Sequence, residues 1–163
     1  MTVTGGPGPS DSGVVSARLA ELGIELPDVV APLAAYVPAV RTGNLVYTAG
    51  QLPIVEGELL QTGKVGGEVN AEDGKALARV CGLNALAAVH ALVGIDSVVR
   101  VVKVVGFVAS APGFGGQPGV INGASELFGE IFGEAGAHAR SAVGVSELPR
   151  DAPVEVEIIV EVS

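Results

Sequence analysis

The chain has 163 residues, 48% of them hydrophobic and 17% charged, with a mean hydropathy of +0.53. That length suits one compact domain, and so apolar a composition excludes disorder for the bulk of it. Basic residues number 9 against 18 acidic ones, and the resulting net charge of −9 repels phosphate backbones. Few aromatics are present and none interleaves with a basic stretch, so a base-stacking platform is missing and generic nucleic-acid binding is disfavoured. No uninterrupted apolar run reaches the ~18 residues of a membrane span. Asn84 and His90 punctuate one stretch, and Arg100 and Lys103 punctuate the other. The ends carry no secretory or lipidation pattern. The sole cysteine, Cys81, has no partner for a disulfide or metal cluster. A cytoplasmic protein without membrane attachment or bound metal is expected.

Residues 1–13, rich in Gly, Pro and Ser, are expected to form a tail outside a single domain spanning 14–163. Val15, Leu19 and Leu22 stand at helical spacing before Gly23 and Pro27, which predicts a short helical appendage. Tyr36–Val40 and Leu45–Leu52 are β-prone, and Thr42-Gly43-Asn44 between them predicts a hairpin. Gly57 and Gly63 mark a further turn and a loop. Asn70 then caps a main helix to Val93, with Glu72 and Asp73 complementing its dipole and Gly94 stopping it. The valine-rich segment 97–110 reads as a central strand despite the three-residue spacing of Arg100 and Lys103. APGFGGQPG reads as a loop, and INGASELFGEIFGEAG as a second helix stopping at Gly136.

The C-terminal part alternates most clearly. Val154, Val156, Ile158, Val160 and Val162 occupy one strand face, and Glu155, Glu157 and Glu161 occupy the other. In ARSAVGV, Val143 and Val145 share a face, so Arg140, Ala142 and Gly144 share the opposite one. If both strands send valines toward the helices, Arg140 and Glu155 emerge together on the helix-free face. The order strand, strand, helix, strand, helix, strand, strand gives an α+β fold whose two main helices cover one face of the sheet. The other face is expected to be buried by assembly into a closed ring, with pockets between subunits.

AHARSAVGVSELPRDAPVEVEIIVEV, YVPAVRTGNLVYTAGQLP and VINGASELFGEIFGE together resemble the RidA/YjgF family, also labelled endoribonuclease L-PSP, over roughly Arg18 to Val162. The leading helix and the long linker SAPGFGGQP look like a bacterial branch of it. The resemblance implies a chorismate-mutase-like sheet in a homotrimer with intersubunit pockets. It also implies hydrolysis of enamines or imines released by pyridoxal-phosphate enzymes, giving a 2-keto acid and ammonia without a cofactor. By position, Arg140 matches the arginine gripping the substrate carboxylate and Glu155 the glutamate near the catalytic water. Tyr36, Gly50, Asn122 and Ala142 match substrate-binding positions. Ala142 replaces an archetypal cysteine, and Ala49 a frequent serine.

Other readings stay open. Arg140 alone would be read as the ion-pair partner of a strand glutamate, and Glu155 as one of three solvated carboxylates. Cys81 reads as a buried inert thiol, and GFGGQPG lacks the context of a phosphate loop. The spacing of Ser125 and His138 does not support a catalytic triad. A non-catalytic module binding small carboxylates is the main alternative function. A ribonuclease is the other, against which the acidic charge argues.

Overall fold

The computed structural model describes residues 13–32 and 34–163, so the expected tail, apart from Gly13, lies outside the described residues. Helix α1 (Val14–Glu21) buries Val15 and Leu19 in the main core. It is tied down where the Ser16 amide donates to Asp96 Oδ1 (2.8 Å) and Arg18 Nε to the Glu130 carbonyl (3.0 Å). Strands β1 (Ala39–Thr42) and β2 (Leu45–Thr48) form the expected hairpin; Thr42 pairs with Leu45, and Gly43 turns at φ +56°. Both strands are shorter than expected. Tyr36 falls in an irregular bend before β1, and beyond β2 only Gln51 keeps a bridge, to Val156. A small hairpin follows, β3 (Ile54–Val55) and β4 (Glu58–Leu59), turning through positive φ at Glu56 and Gly57.

Helix α2 (Ala71–Val93) opens where Asn70 Oδ1 accepts from the Asp73 amide at 2.8 Å and closes at Gly94. By length and composition α2 could cross a membrane, yet Leu77, Ala78, Cys81, Ala85, Leu86 and Val89 are buried in the main core. Strand β5 (Val98–Ala109) explains its ambiguous spacing. Register shifts between Val98 and Arg100, and between Val101 and Lys103, each accommodate an extra residue, so burial falls on 98, 101 and 104 before alternation resumes. Helix α3 (Gln117–Phe132) begins inside the segment expected as loop, because Pro118 suits a first helical turn. It stops at Gly133 rather than Gly136, and a 3₁₀ turn fills the interval. Strands β6 (Ala139–Val145) and β7 (Val154–Val162) complete the chain.

The sheet order is β1-β2-β7-β5-β6, with β5 and β6 parallel and the other neighbours antiparallel. Helices α2 and α3 pack on one face, as expected for this α+β arrangement, over Val46, Val104, Val108 and the even positions of β7. Two glycines let α3 settle closely. A Cβ at Gly106 would overlap Ile121, and one at Gly123 would overlap the Lys75 carbonyl of α2.

The expected orientation of β6 is overturned. In a parallel pair, residues abreast share a face, and Arg140 lies beside buried Val104, Ala142 beside Gly106 under Ile121. Arg140 and Ala142 therefore face the helix layer, whereas Val143 is 43% exposed on the helix-free face, level with Phe107 and Glu155. The reason is tertiary: β6 is an edge strand beneath the polar flank of α3, where Asn122 and Ser125 offer oxygens that a guanidinium can use and a valine cannot.

Gly123→Ala is expected to cost about 1–3 kcal/mol by pushing α3 off α2. Gly129→Ala on the same helix, whose added Cβ meets nothing within 4 Å, should be neutral or slightly stabilising. Denaturant melts of the two variants check this, and equal stabilities would refute the close-approach argument.

Candidate functional site

Arg140 is partly buried on β6, and its Nη1 donates to Asn122 Oδ1 at 2.7 Å and to Ser125 Oγ at 3.2 Å. Asn122 and Ser125, three residues apart on α3, share the flank overlooking the sheet edge. Behind them, Ser125 Oγ lies 2.8 Å from His138 Nε2, and His138 Nδ1 lies 2.6 Å from the Gly136 carbonyl. A carbonyl only accepts, so Nδ1 carries hydrogen. In the neutral ring Nε2 then accepts from the Ser125 hydroxyl, whose oxygen accepts from Arg140. Phe128 meets the His138 ring edge to face, at 6.0 Å and 81°. Gly133 at φ +59° and Gly136, where a Cβ would overlap the Phe128 carbonyl, fold the chain back tightly enough to bring His138 under α3.

Among the described residues no carboxylate pairs with Arg140; the ion pairs are Arg18–Glu21, Lys64–Glu147, Lys75–Glu126 and Arg79–Glu130. Its hydrogen-bonded partners are neutral oxygens on Nη1, and Nε and Nη2 make no hydrogen bond among these residues. The reading of Arg140 as a structural ion-pair partner is therefore not what the geometry supports. A cation is left with one edge of its fork open, the shape that takes a carboxylate in two parallel hydrogen bonds.

Glu155 stands elsewhere. It lies on the helix-free face of β7, half-buried, and burial together with the neighbouring Glu157 charge raises its carboxyl above the ordinary range. A Cβ at Gly50 would overlap the Glu155 carboxylate, so glycine there provides room for that side chain; its φ is not in the left-handed region. Tyr36 joins Gly50, Gln51 and Pro38 in lining a small cleft. The buried Asn84 of α2 braces this wall by donating to the Leu52 and Ile54 carbonyls, at 3.0 and 2.9 Å.

The six candidate residues thus form two groups within one chain. Arg140, Asn122 and Ala142 belong to the helix side of the β6 edge, and Tyr36, Gly50 and Glu155 to the region around the β2–β7 pairing. Arg140 and Glu155 do not emerge together. They are two strands apart and three residue steps out of level, roughly 14 Å between Cα atoms by ordinary sheet spacings, on opposite faces. Sequence reasoning set Ser125 and His138 aside on spacing, yet the structure brings them into contact. Its available signal was His138 two positions before Arg140, on the same strand-side parity, with Ser125 three positions after Asn122. Cys81 is fully buried, and burial pushes its thiol well up, consistent with the inert reading.

Comparison with known proteins accounts for nearly the whole chain. The family model described as "YjgF/chorismate mutase-like, putative endoribonuclease" matches residues 16–162. Protein TCP17 of Trypanosoma cruzi is 44% identical over 154 residues, covering 93% of this chain and 96% of its own length. The crystal structure of Atu1372 from Agrobacterium tumefaciens is 45% identical, with a TM-score of 0.84 over 94% of each chain. RidA from an Antarctic Psychrobacter is 28% identical, with a TM-score of 0.60 over 83% of this chain and 94% of that one. With a family match of this extent and a fold shared with these relatives, the chain belongs to the RidA/YjgF family.

Proposed function

We propose that the protein hydrolyses small 2-imino acids and their enamine tautomers to 2-keto acids and ammonia, in pockets formed between protomers of a homotrimer. The observation that carries this is the open edge of the Arg140 guanidinium, charged and free of any carboxylate among the described residues. A small anion fits it, and imine hydrolysis is what the resemblance to the RidA/YjgF family implies. The arrangement of Glu155 supports a shared site. A single chain keeps the carboxylate-binding group and the acid–base group on opposite faces, so a neighbouring copy supplies the second group. Val143 and Tyr47, 43% and 44% exposed on the helix-free face, give that face a reason to be covered.

In this mechanism Arg140 Nε and Nη2 grip the substrate carboxylate and hold C2 in place. Glu155 of the adjoining protomer accepts a proton from the water that attacks C2 of the iminium, and its raised carboxyl range makes it the stronger base. The carbinolamine then collapses to ketone and ammonia. No metal or cofactor is required, because the iminium is itself the electrophile. A second reading, a carboxylate-binding module without turnover, is favoured by Ala49 and Ala142, which bring neither hydroxyl nor thiol to the pocket.

Arg140→Ala is expected to weaken 2-keto acid binding about ten- to a hundredfold, the worth of a charge-assisted pair of roughly 1.5–3 kcal/mol, and to lower ammonia release from freshly generated 2-aminoacrylate accordingly. Calorimetry and a coupled ammonia assay measure the two. Unchanged values would remove the mechanism, and binding without turnover in the wild type would leave the module. Glu155→Gln should slow turnover by about 10²-fold or more. Its stability effect has the opposite sign. The folded state holds the Glu155 proton more tightly than the unfolded chain, so that contribution is full below the unfolded carboxylate range and is lost as pH rises through the raised value. The Gln variant should therefore melt higher than the parent at pH 7, the gap closing toward pH 4 in thermal scans. Val143→Glu should give a folded monomer without deaminase activity, read by light scattering beside circular dichroism; an active monomer would refute the shared pocket.

A further inference from the structure

Resting on the imine-hydrolysis reading, we propose that Thr48 is a positioning residue for Glu155, because its hydroxyl locks a β-bulge that turns Gly50, and not Gln51, toward that carboxylate. The pairing register carries the argument. Leu45, Val46 and Tyr47 of β2 stand abreast of Glu161, Val160 and Ile159, whereas Gln51 stands abreast of Val156. Between these pairs the β2 side holds Thr48, Ala49 and Gly50, and β7 holds only Ile158 and Glu157. The β2 side therefore carries one extra, bulged residue. Had its register run on unbroken, Gln51 would stand abreast of Glu155 and Gly50 abreast of Val156. Residues abreast share a face, so Gln51 would then place its side chain beside the Glu155 carboxylate. That space does not admit one, since even a Cβ at Gly50 would overlap the carboxylate. The bulge instead buries Gln51 on the core side with Val156 and leaves Gly50 with Glu155.

Thr48 holds this arrangement at the point where the ladder breaks. The Val162 amide donates to the Asn44 carbonyl at 2.8 Å, and the two-residue period of an antiparallel ladder brings the turn of the Ile158 amide opposite Thr48. There the amide donates to Thr48 Oγ1 at 3.0 Å, with both residues buried. A valine of the same shape would offer no such acceptor. Neighbouring bonds hold the rest of the bulge. The Ala49 amide donates to the Pro38 carbonyl at 2.8 Å, Gln51 and Val156 exchange amide bonds at 2.8 and 3.0 Å, and Gln51 Nε2 donates to the Ala49 carbonyl at 3.3 Å. Just beyond, Asn84 takes the Leu52 and Ile54 carbonyls. Thr48 shares the core-facing parity of Val46, the face opposite Glu155. Its influence on the carboxylate is therefore carried by the backbone of the bulge, not by contact.

The test compares Thr48→Val, Thr48→Ser and Glu155→Gln, with the Kd for pyruvate measured beside kcat. Thr48→Val keeps the shape and removes the acceptor. It should lower kcat about 10²-fold, the scale of a displaced reacting group, while pyruvate affinity, set by Arg140, is retained. Thr48→Ser keeps the acceptor and should recover most of the rate. Added to Glu155→Gln, the Thr48→Val change should cost little more, because both act through one group. A merely structural role would lower turnover and affinity in step and would add its full loss in the Glu155→Gln background. Either result overturns the proposal, as does Thr48→Val with wild-type kcat. Should Thr48→Val not fold, two readouts decide. The Ile158 amide of the wild type must exchange slowly with solvent, and Gly50→Ala, which leaves the Thr48 hydroxyl in place, must lose kcat; fast exchange or a fully active Gly50→Ala overturns the bulge as the seat of Glu155. In all these cases wild-type activity leaves the deaminase reading standing. A wild type without deaminase activity removes both.

Discussion

An arginine on a half-covered sheet edge has two ways of meeting its desolvation cost: pair with an acid, or be solvated by neutral oxygens. Arg140 takes the second, through Asn122 and Ser125. The difference is functional. A guanidinium already neutralised by glutamate would exchange one anion for another on binding a ligand and gain little, whereas one held by dipoles keeps its charge available to an anion such as the proposed carboxylate. The neutral partners also fix the fork's orientation, so less rotamer freedom is lost on binding.

That solvation depends on how closely α3 approaches the sheet. Gly106 admits Ile121 beneath the helix, and Gly123 lets α3 press against the Lys75 carbonyl of α2. With the apolar stripe of Ile121, Ala124 and Phe128 buried, the polar flank carrying Asn122 and Ser125 is turned toward the β6 edge. Parallel pairing with β5 then decides which side of β6 faces that flank, because Arg140 stands beside Val104. The crossover through α3 places strand and helix side by side.

Much of this was legible in the sequence for reasons that local physics supplies. The alternation of 154–162, the Asn70 cap and the Gly43 turn depend on neighbours along the chain, and each falls where expected. The faces of β6 do not depend on neighbours along the chain. Val143 and Arg140 fix only that they oppose each other; which one meets the helices is set by pairing with β5 and by the polar flank of α3, both distant in sequence. The bulges in β5 mimic a period of three for the same reason, since an extra residue is accommodated by the partner strand β7. Ser125 and His138 meet only because two glycines reverse the chain between them. For the site, the residue types were readable and their grouping was not: Arg140 and Asn122 touch, while Glu155 belongs with Gly50 on another face.

The acidic character of the molecule bears on what kind of anion such a site admits. A net charge of −9 opposes every anion at long range, but salt damps that field within about 8 Å at physiological ionic strength. A small carboxylate is governed by what lies inside that radius, where the open edge of Arg140 outweighs distant glutamates. A polyanion cannot be so local. Successive phosphates of an RNA would extend beyond the guanidinium over a surface with twice as many acids as bases, and each further phosphate would add repulsion where binding needs counterion release. A cation without a carboxylate partner, set in an acidic protein, therefore discriminates by size as well as by charge, and the single small acid proposed as its ligand meets both conditions.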